Sequence, residues 1–188
     1  IERDPAGLKY AASDGFLSGL HGNLVLIDAG AQIYHSKNES FTRYEAQGSC
    51  GIGPCQWTVT LRDGTRYFFG ENPAERLLGP DGLSVRQWAL SRVADHSGNG
   101  YSIEYVEGTG VLYPDEISYN NRRITFSWEN RPDQRRHYSQ QAEEIHDLRL
   151  KKVEISAGSF NRRYTLHYSS GENSISLLAA VSQSVDSA

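Results

Sequence analysis

The sequence predicts an all-β protein of successive antiparallel hairpins, with roughly nine or ten strands. Three observations carry this expectation. Apolar side chains recur at every second residue in segment after segment, the period of a half-buried strand. Dipeptides suited to tight reversals, Asp63-Gly64, Gly98-Asn99 and Asn120-Asn121, stand between those segments. Aromatic residues make up 11% of the chain, including 11 tyrosines, and 18 glycines punctuate it, a composition that favours strands joined by turns.

Taken in order, Leu24-Val25-Leu26-Ile27 reads as a short apolar strand, and residues 33–44 as a longer, more polar strand or a strand pair. The clearest hairpin is "QWTVTLRDGTRYFFG", in which Trp57, Val59 and Leu61 alternate, Asp63-Gly64 supplies a two-residue turn with positive φ, and Tyr67-Phe68-Phe69 returns. The loop "ENPAERLLGPDG" interrupts regular pairing with its prolines and glycines. In "LSVRQWALSRV" the alternation slips phase between Val85 and Trp88, which predicts a bulge or kink. Gly98-Asn99-Gly100 then reverses the chain into "YSIEYV", with Asp95 bonding backbone amides and Asn99 taking the left-handed conformation.

A further hairpin is expected in "DEISYNNRRITFSWEN", turning at Asn120 and Asn121. Two more strands, "LRLKKVEI" and "RRYTLHYS", flank "SAGSFN". Between these pairs, "RPDQRRHYSQQAEEIHD" has a composition that permits a helix but lacks an apolar stripe, so it is read as an irregular excursion.

A chain of 188 residues can bury roughly two thirds of its unfolded surface as one domain without needing disulfides or metals. Residues 1–188 are accordingly expected to form a single β-rich domain, with 1–12 and 182–188 peripheral or linker. A mean hydropathy of -0.57 and a hydrophobic content of 38% place the chain among soluble proteins. The net charge of -4 argues against a nucleic-acid or anionic-membrane binder. No apolar run approaches the roughly 18 residues needed to span a bilayer. The absence of methionine, and of a signal-peptide pattern at "IERDPAGLKY", leads us to expect a piece of a much larger chain.

The collinear order of these segments carries a resemblance. "IERDPAGLKYAASDGFLSGLHGNLVLI", "FTRYEA", "WTVTLRDGTRYFFG", "SVRQWALSRVADHSGNGYSIEYV", "YPDEISY", "ITFSWENRPD", "LRLKKVEI" and "RRYTLHY" together resemble the amino-terminal domain of the Salmonella plasmid virulence B protein and insecticidal toxin complex B-component family, allied to Rhs/YD-repeat proteins. The most specific parts are Trp88 to Leu90, the stretch from Asp95 through Gly98 and Asn99 to Tyr105, and Arg131-Pro132-Asp133 after the Phe126 to Trp128 strand. The resemblance implies an extended or curved β-sheet, shell-like or a sandwich, and a non-catalytic segment of a hollow shell that holds a toxic polypeptide. It also implies a second domain with its own activity elsewhere in the parent chain. Cys50 and Cys55 have no counterpart in the family's pattern.

Each chemical constellation has a plainer structural reading. Cys50 and Cys55 are the only cysteines, and no further Cys or His pair completes a zinc site. They either close a small-loop disulfide, as in an exported protein, or remain two thiols in a glycine-rich tip. Asp95, His96 and Asn99 offer ligands in a glycine-containing loop, but the spacing is not that of a calcium loop and no bidentate Glu follows. In Glu143-Glu144-Ile145-His146 there is one Glu-x-x-His pair, where a di-iron site needs two such pairs and further carboxylates on neighbouring helices. His137, nine residues upstream of His146, is a conceivable zinc ligand, yet a solvated polar loop is the plainer reading.

No cysteine-protease signature, Gly-x-Ser-x-Gly elbow or nucleotide-binding glycine loop is present. "RDPAGL" resembles the Asp-Pro-x-Gly-Leu of Rhs self-cleavage but reads as a Pro-Gly turn. Arg122, Arg123, Arg131, Arg135 and Arg136 form a basic cluster open to a phosphate or an acidic partner, or a mixed solvated face, being interspersed with carboxylates.

The function expected is therefore that of a non-catalytic structural module of a secreted or cell-surface bacterial virulence or toxin-complex protein, without cofactor, catalytic residues or metal. Its partners would be neighbouring modules of the same chain and a toxin polypeptide or toxin-complex subunit, not nucleic acid. The alternative is a cell-surface β-domain that binds carbohydrate or protein through exposed Trp or Tyr residues and the arginine cluster.

Overall fold

The structure is a computed structural model that describes residues 1–187, with side chains through residue 185; the last residues of the stretch 182–188 fall outside that description. It is all-β and antiparallel, with sixteen strands and two short 3-10 turns among the described residues. The strands exceed the nine or ten expected because Glu2–Arg3, Phe16–Ser18, Arg76–Leu78 and Ser176–Ser187 form strands in stretches outside the predicted ones. Residues 33–44 are a strand pair, one of the two readings of that stretch: the strands Ile33–Ser36 and Arg43–Gln47 pair Tyr34 with Tyr44. The chain groups into two compact units, one of residues Ile1–Gly100 with Tyr138–Ala142, the other of Tyr101–His137 with Glu143–Ala188.

The first unit holds β1 (Glu2–Arg3), β2 (Phe16–Ser18), β3 (Gly22–Asp28), β4 (Ile33–Ser36), β5 (Arg43–Gln47), β6 (Gln56–Thr60), β7 (Arg66–Phe69), β8 (Arg76–Leu78), β9 (Val85–Trp88) and β10 (Leu90–Ala94). Their hydrogen-bonded order is β10-β7-β6-β5-β4-β3-β2-β1-β9-β8. Although only Ala89 separates β9 from β10, the two strands lie towards opposite ends of this order. The sheet is therefore bent round on itself while its order stays open. The amide of Ala89 donates to Glu75 O at 2.8 Å, and its carbonyl accepts from Gly70 N at 2.9 Å.

That bend encloses the core. Alternation in β5 and β6 turns Tyr44, Ala46, Trp57 and Val59 inward, where they meet Phe16, Leu24, Val85 and Trp88. Trp57 lies edge-on to Phe16, Tyr34 and Trp88, with ring centroids 4.9, 5.1 and 5.9 Å away. Strands β6 and β7 pair Trp57 with Phe69 and Val59 with Tyr67, the hairpin read from alternation. The turn is longer than the two residues expected: residues 61–65 connect the strands, with Leu61 N donating to Thr65 O at 2.9 Å and Gly64 N to Leu61 O at 3.1 Å. The phase slip in "LSVRQWALSRV" is a bulge at Arg86, since Leu77 faces Gln87 while Leu78 faces Val85.

The second unit holds β11 (Gly100–Glu107), β12 (Leu112–Tyr119), β13 (Arg122–Ser139), β14 (Ala142–Ala157), β15 (Phe160–Ser170) and β16 (Ser176–Ser187), in the order β16-β15-β14-β13-β12-β11. The stretch 131–147 is not an excursion: it is the paired end of the β13 and β14 strands. Local hydrophobic pattern misses it because cross-strand ion pairs stand in for apolar contacts there, as with Arg136 Nη1 and Glu143 Oε1 at 2.8 Å.

The two strands turn at Gln140 and Gln141, both at positive φ (50° and 63°) as a type I′ turn requires. Glutamine has no intrinsic liking for that region. The turn is held from within the first unit, where Gln140 Nε2 donates to Arg3 O at 2.7 Å, Tyr10 OH donates to Gln140 O at 2.7 Å and Gln141 Nε2 donates to Leu8 O at 2.7 Å.

Candidate functional site

The reversal between β10 and β11 is a closed set of turn contacts. Asp95 accepts from Ser97 N at 2.8 Å, Asn99 N at 2.9 Å and Asn99 Nδ2 at 3.0 Å. The Asn99 side chain and these amides hold the carboxyl of Asp95 below its usual range. Gly98, at φ 84°, occupies the left-handed position, whereas Asn99 does not; the expectation for Asn99 is corrected because Gly pays no Cβ penalty there and frees Asn99 to bond Asp95. Gly100 is required for another reason: a Cβ there would meet Val93 O at 1.8 Å.

The other predicted turns behave similarly. Gly64 takes φ 87° while Asp63 accepts from Thr65 N at 2.9 Å. Asn120 takes φ 51° at the β12 to β13 turn, with Asn121 completing it.

Cys50 and Cys55 are joined in a disulfide, with Cα atoms 4.9 Å apart. The loop they close packs on buried polar groups. Ile52 N donates to Ser84 Oγ at 2.9 Å, Ile52 O accepts from Arg3 Nη2, and Cys55 O accepts from Trp88 Nε1 at 3.0 Å. Arg3 also donates to Val85 O at 2.7 Å and pairs with Asp14 at 3.2 Å. Burial pulls the Arg3 guanidinium below its ordinary range, and Asp14 opposes that pull. Arg3, Arg86 and Gln140 are buried polar residues that pattern reading misses; only the slip at Arg86 marks one of them. A cavity of about 370 Å³ lies beside Arg3, Asp14, Phe16, Tyr34 and Ile52. Its two charges, Arg3 and Asp14, pair with each other.

The arginine cluster is dispersed. Arg123 pairs with Glu116 at 2.8 Å, Arg136 with Glu143, and Arg131 grips Asp133 through Nε at 3.1 Å and Nη2 at 3.0 Å, while Arg122 and Arg135 are exposed. Asp133 also accepts from the backbone N of Ser176 at 3.0 Å and from its hydroxyl at 2.5 Å. Arg131 first, then Ser176, hold the Asp133 carboxyl far below the usual carboxylate range. The Arg131-Pro132-Asp133 motif thus fastens the start of β16.

The tryptophans do not form an outer platform. Trp57 and Trp88 are core residues, and Trp128 donates to Pro114 O at 2.8 Å beside Tyr113. The structure does bring His137, Glu144 and His146 together on the hairpin of β13 and β14.

The most exposed apolar surface of the second unit is β16, the last strand in its order. Tyr168 faces Leu178 while His167 faces Ala180, so Ala179 is an extra residue that shifts the strand's phase. Leu178, Val181 and Val185 thereby share the face of Tyr168, Leu166 and Arg162 on β15. They are 55%, 53% and 47% exposed, and Leu177 is exposed on the opposite face. No helix among the described residues is long and apolar enough to cross a membrane.

No family model and no curated protein sequence matches the chain. Solved structures do match its fold. The N-terminal domain of effector protein SpvB from Salmonella typhimurium strain LT2 aligns with 98% of this chain and 86% of that one, at 18% identity and a TM-score of 0.80. In the TcdB2-TccC3 structure the alignment covers 97% of this chain but 13% of that one, at 16% identity and a TM-score of 0.74. The TcdB2-TccC3-Cdc42 structure gives the same identity and coverage and a TM-score of 0.73. Over nearly its whole length, the chain has a fold similar to that of the SpvB N-terminal domain and of a segment of TcdB2-TccC3.

Proposed function

We propose that the chain is a non-catalytic structural module of a secreted bacterial virulence or toxin-complex protein, which continues its sheet into neighbouring modules and helps enclose or present a toxin polypeptide. One observation carries this reading: β16, paired with β15 along one edge, has its other edge unpaired among the described residues and carries an exposed apolar row beside it. An edge of that kind is a template for another strand, and its apolar face is stabilised by cover. The fold likeness to a virulence effector domain and to a toxin complex supports the same reading. The glycan-binding alternative draws no support from the tryptophans, which face inward or bond to backbone.

The test is self-association of the chain by itself. The wild-type chain should bind a dye for apolar surface and associate as its concentration rises, and a double Leu178→Lys, Val181→Lys variant should do neither while keeping its β-sheet circular dichroism. A wild-type chain that stays monomeric and binds no dye would remove the physical basis of the proposal.

A further inference from the structure

We propose that His137, Glu144 and His146 form a binding site for a borderline divalent transition-metal ion, zinc above all, which clamps the end of the β13 and β14 hairpin. Sequence spacing alone cannot assemble this set. Glu144 and His146 are two residues apart on β14, so strand alternation places them on one face. His137 is brought beside them from β13 only because the chain turns tightly at Gln140 and Gln141. Arg136 and Glu143, each one residue out of phase with the set, pair with each other on the other face. Arg135 shares the face of His137 and is exposed.

The geometry is close to that of a ligand set. His137 Nε2 lies 2.6 Å from Glu144 Oε2, and the two imidazole rings stack with centroids 5.2 Å apart and planes 13° from parallel. One donor atom from each of the three residues lies within 4.8 Å of the others. Tetrahedral zinc with ligand bonds near 2.1 Å needs donors about 3.4 Å apart, so closure asks for a shift of roughly 1 Å. His137 can supply that movement, because its side chain is 49% exposed while that of Glu144 is 11% exposed.

The donor chemistry selects the ion. Two imidazole nitrogens and one carboxylate suit zinc, and also copper or nickel, whereas calcium and magnesium require oxygen ligands throughout. Three protein ligands leave a fourth position for water or for a group from another molecule. The location points to a structural clamp: the three residues bridge neighbouring strands just before a turn built from two left-handed glutamines.

The experiment is a zinc titration of chelator-treated protein by calorimetry, with the zinc content measured after gel filtration. We expect one ion per chain and slower amide exchange in the hairpin around His137 and His146 when zinc is present. His137→Ala and His146→Ala should each weaken binding by roughly tenfold or more, and His96→Ala, which alters an exposed turn histidine, should leave it unchanged. Unaltered circular dichroism of the metal-free variants shows that the loss is one of ligands and not of folding. Absence of binding to the wild type, or binding unchanged by His137→Ala and His146→Ala, would overturn the proposal and leave His137 and Glu144 as a hydrogen-bonded pair.

Discussion

Two buried tryptophans differ in one respect that a matched pair of substitutions can read. Trp57 and Trp88 are 0% and 2% exposed and touch edge-on in the core of the first unit. Trp88 Nε1 donates to Cys55 O at 3.0 Å, whereas Trp57 Nε1 is buried without a hydrogen-bond partner among the described residues. Replacing either by Phe removes the same atoms and leaves a comparable void, so those terms largely cancel between the variants. Trp57→Phe also deletes an unpaired buried donor, whose desolvation costs ~1–3 kcal/mol. Trp88→Phe instead removes the hydrogen bond to the half-buried carbonyl of Cys55, a loss of ~1 kcal/mol.

Trp88→Phe should therefore be the less stable variant by about 2 kcal/mol or more. With a slope of about 2 kcal/mol per molar, that separates their urea midpoints by roughly 1 M. Urea titration followed by near-ultraviolet circular dichroism of the aromatic core measures the gap. A midpoint for Trp57→Phe equal to or below that of Trp88→Phe would refute the argument, since it would mean the indole N–H groups are not what distinguishes the two sites.

The turn after β10 and the fastening of β16 yield two further tests. Gly98→Ala should cost ~1 kcal/mol, because its φ of 84° disfavours a Cβ that otherwise meets nothing within 4 Å, and Asn99→Ala should cost less; thermal unfolding of both variants decides the order. Asp133, held in its charged form by Arg131 and Ser176, has a folded pKa below its unfolded value near 4. Its stabilisation is present above that unfolded value and is lost as pH falls from about 4 through the folded pKa. Acidification should therefore loosen β16 in the wild type, while Asp133→Asn, already loosened at neutral pH, should show a smaller acid response. Proteolysis or hydrogen exchange of residues 176–185 reports it, and identical pH profiles for the two proteins would count against the contact.

Much of the chain is legible where structure is decided within a few residues. The hairpin of β6 and β7 follows from alternation and from Gly64 at positive φ, while its register, Trp57 opposite Phe69, is set by the longer loop over residues 61–65. The reversal at Gly98 and the bulge at Arg86 leave equally local marks. The long hairpin is less legible because its outer half is joined by ion pairs and turns at glutamines, whose left-handed conformation no propensity favours. What holds that turn is an N-terminal segment about 130 residues away in the chain, through bonds such as Gln140 Nε2 to Arg3 O.

The sequence by itself determined the all-β class, most of the hairpin turns and the residues that alternate into the core, because backbone sterics and strand periodicity act over neighbouring residues. Tertiary structure alone decided that β9 and β10 part company at Ala89, that Arg3, Arg86 and Gln140 are buried together, and that His137 meets Glu144 and His146. Each of these depends on which distant strands pair, and a buried polar or metal-ligating side chain gains its partner only after that pairing exists.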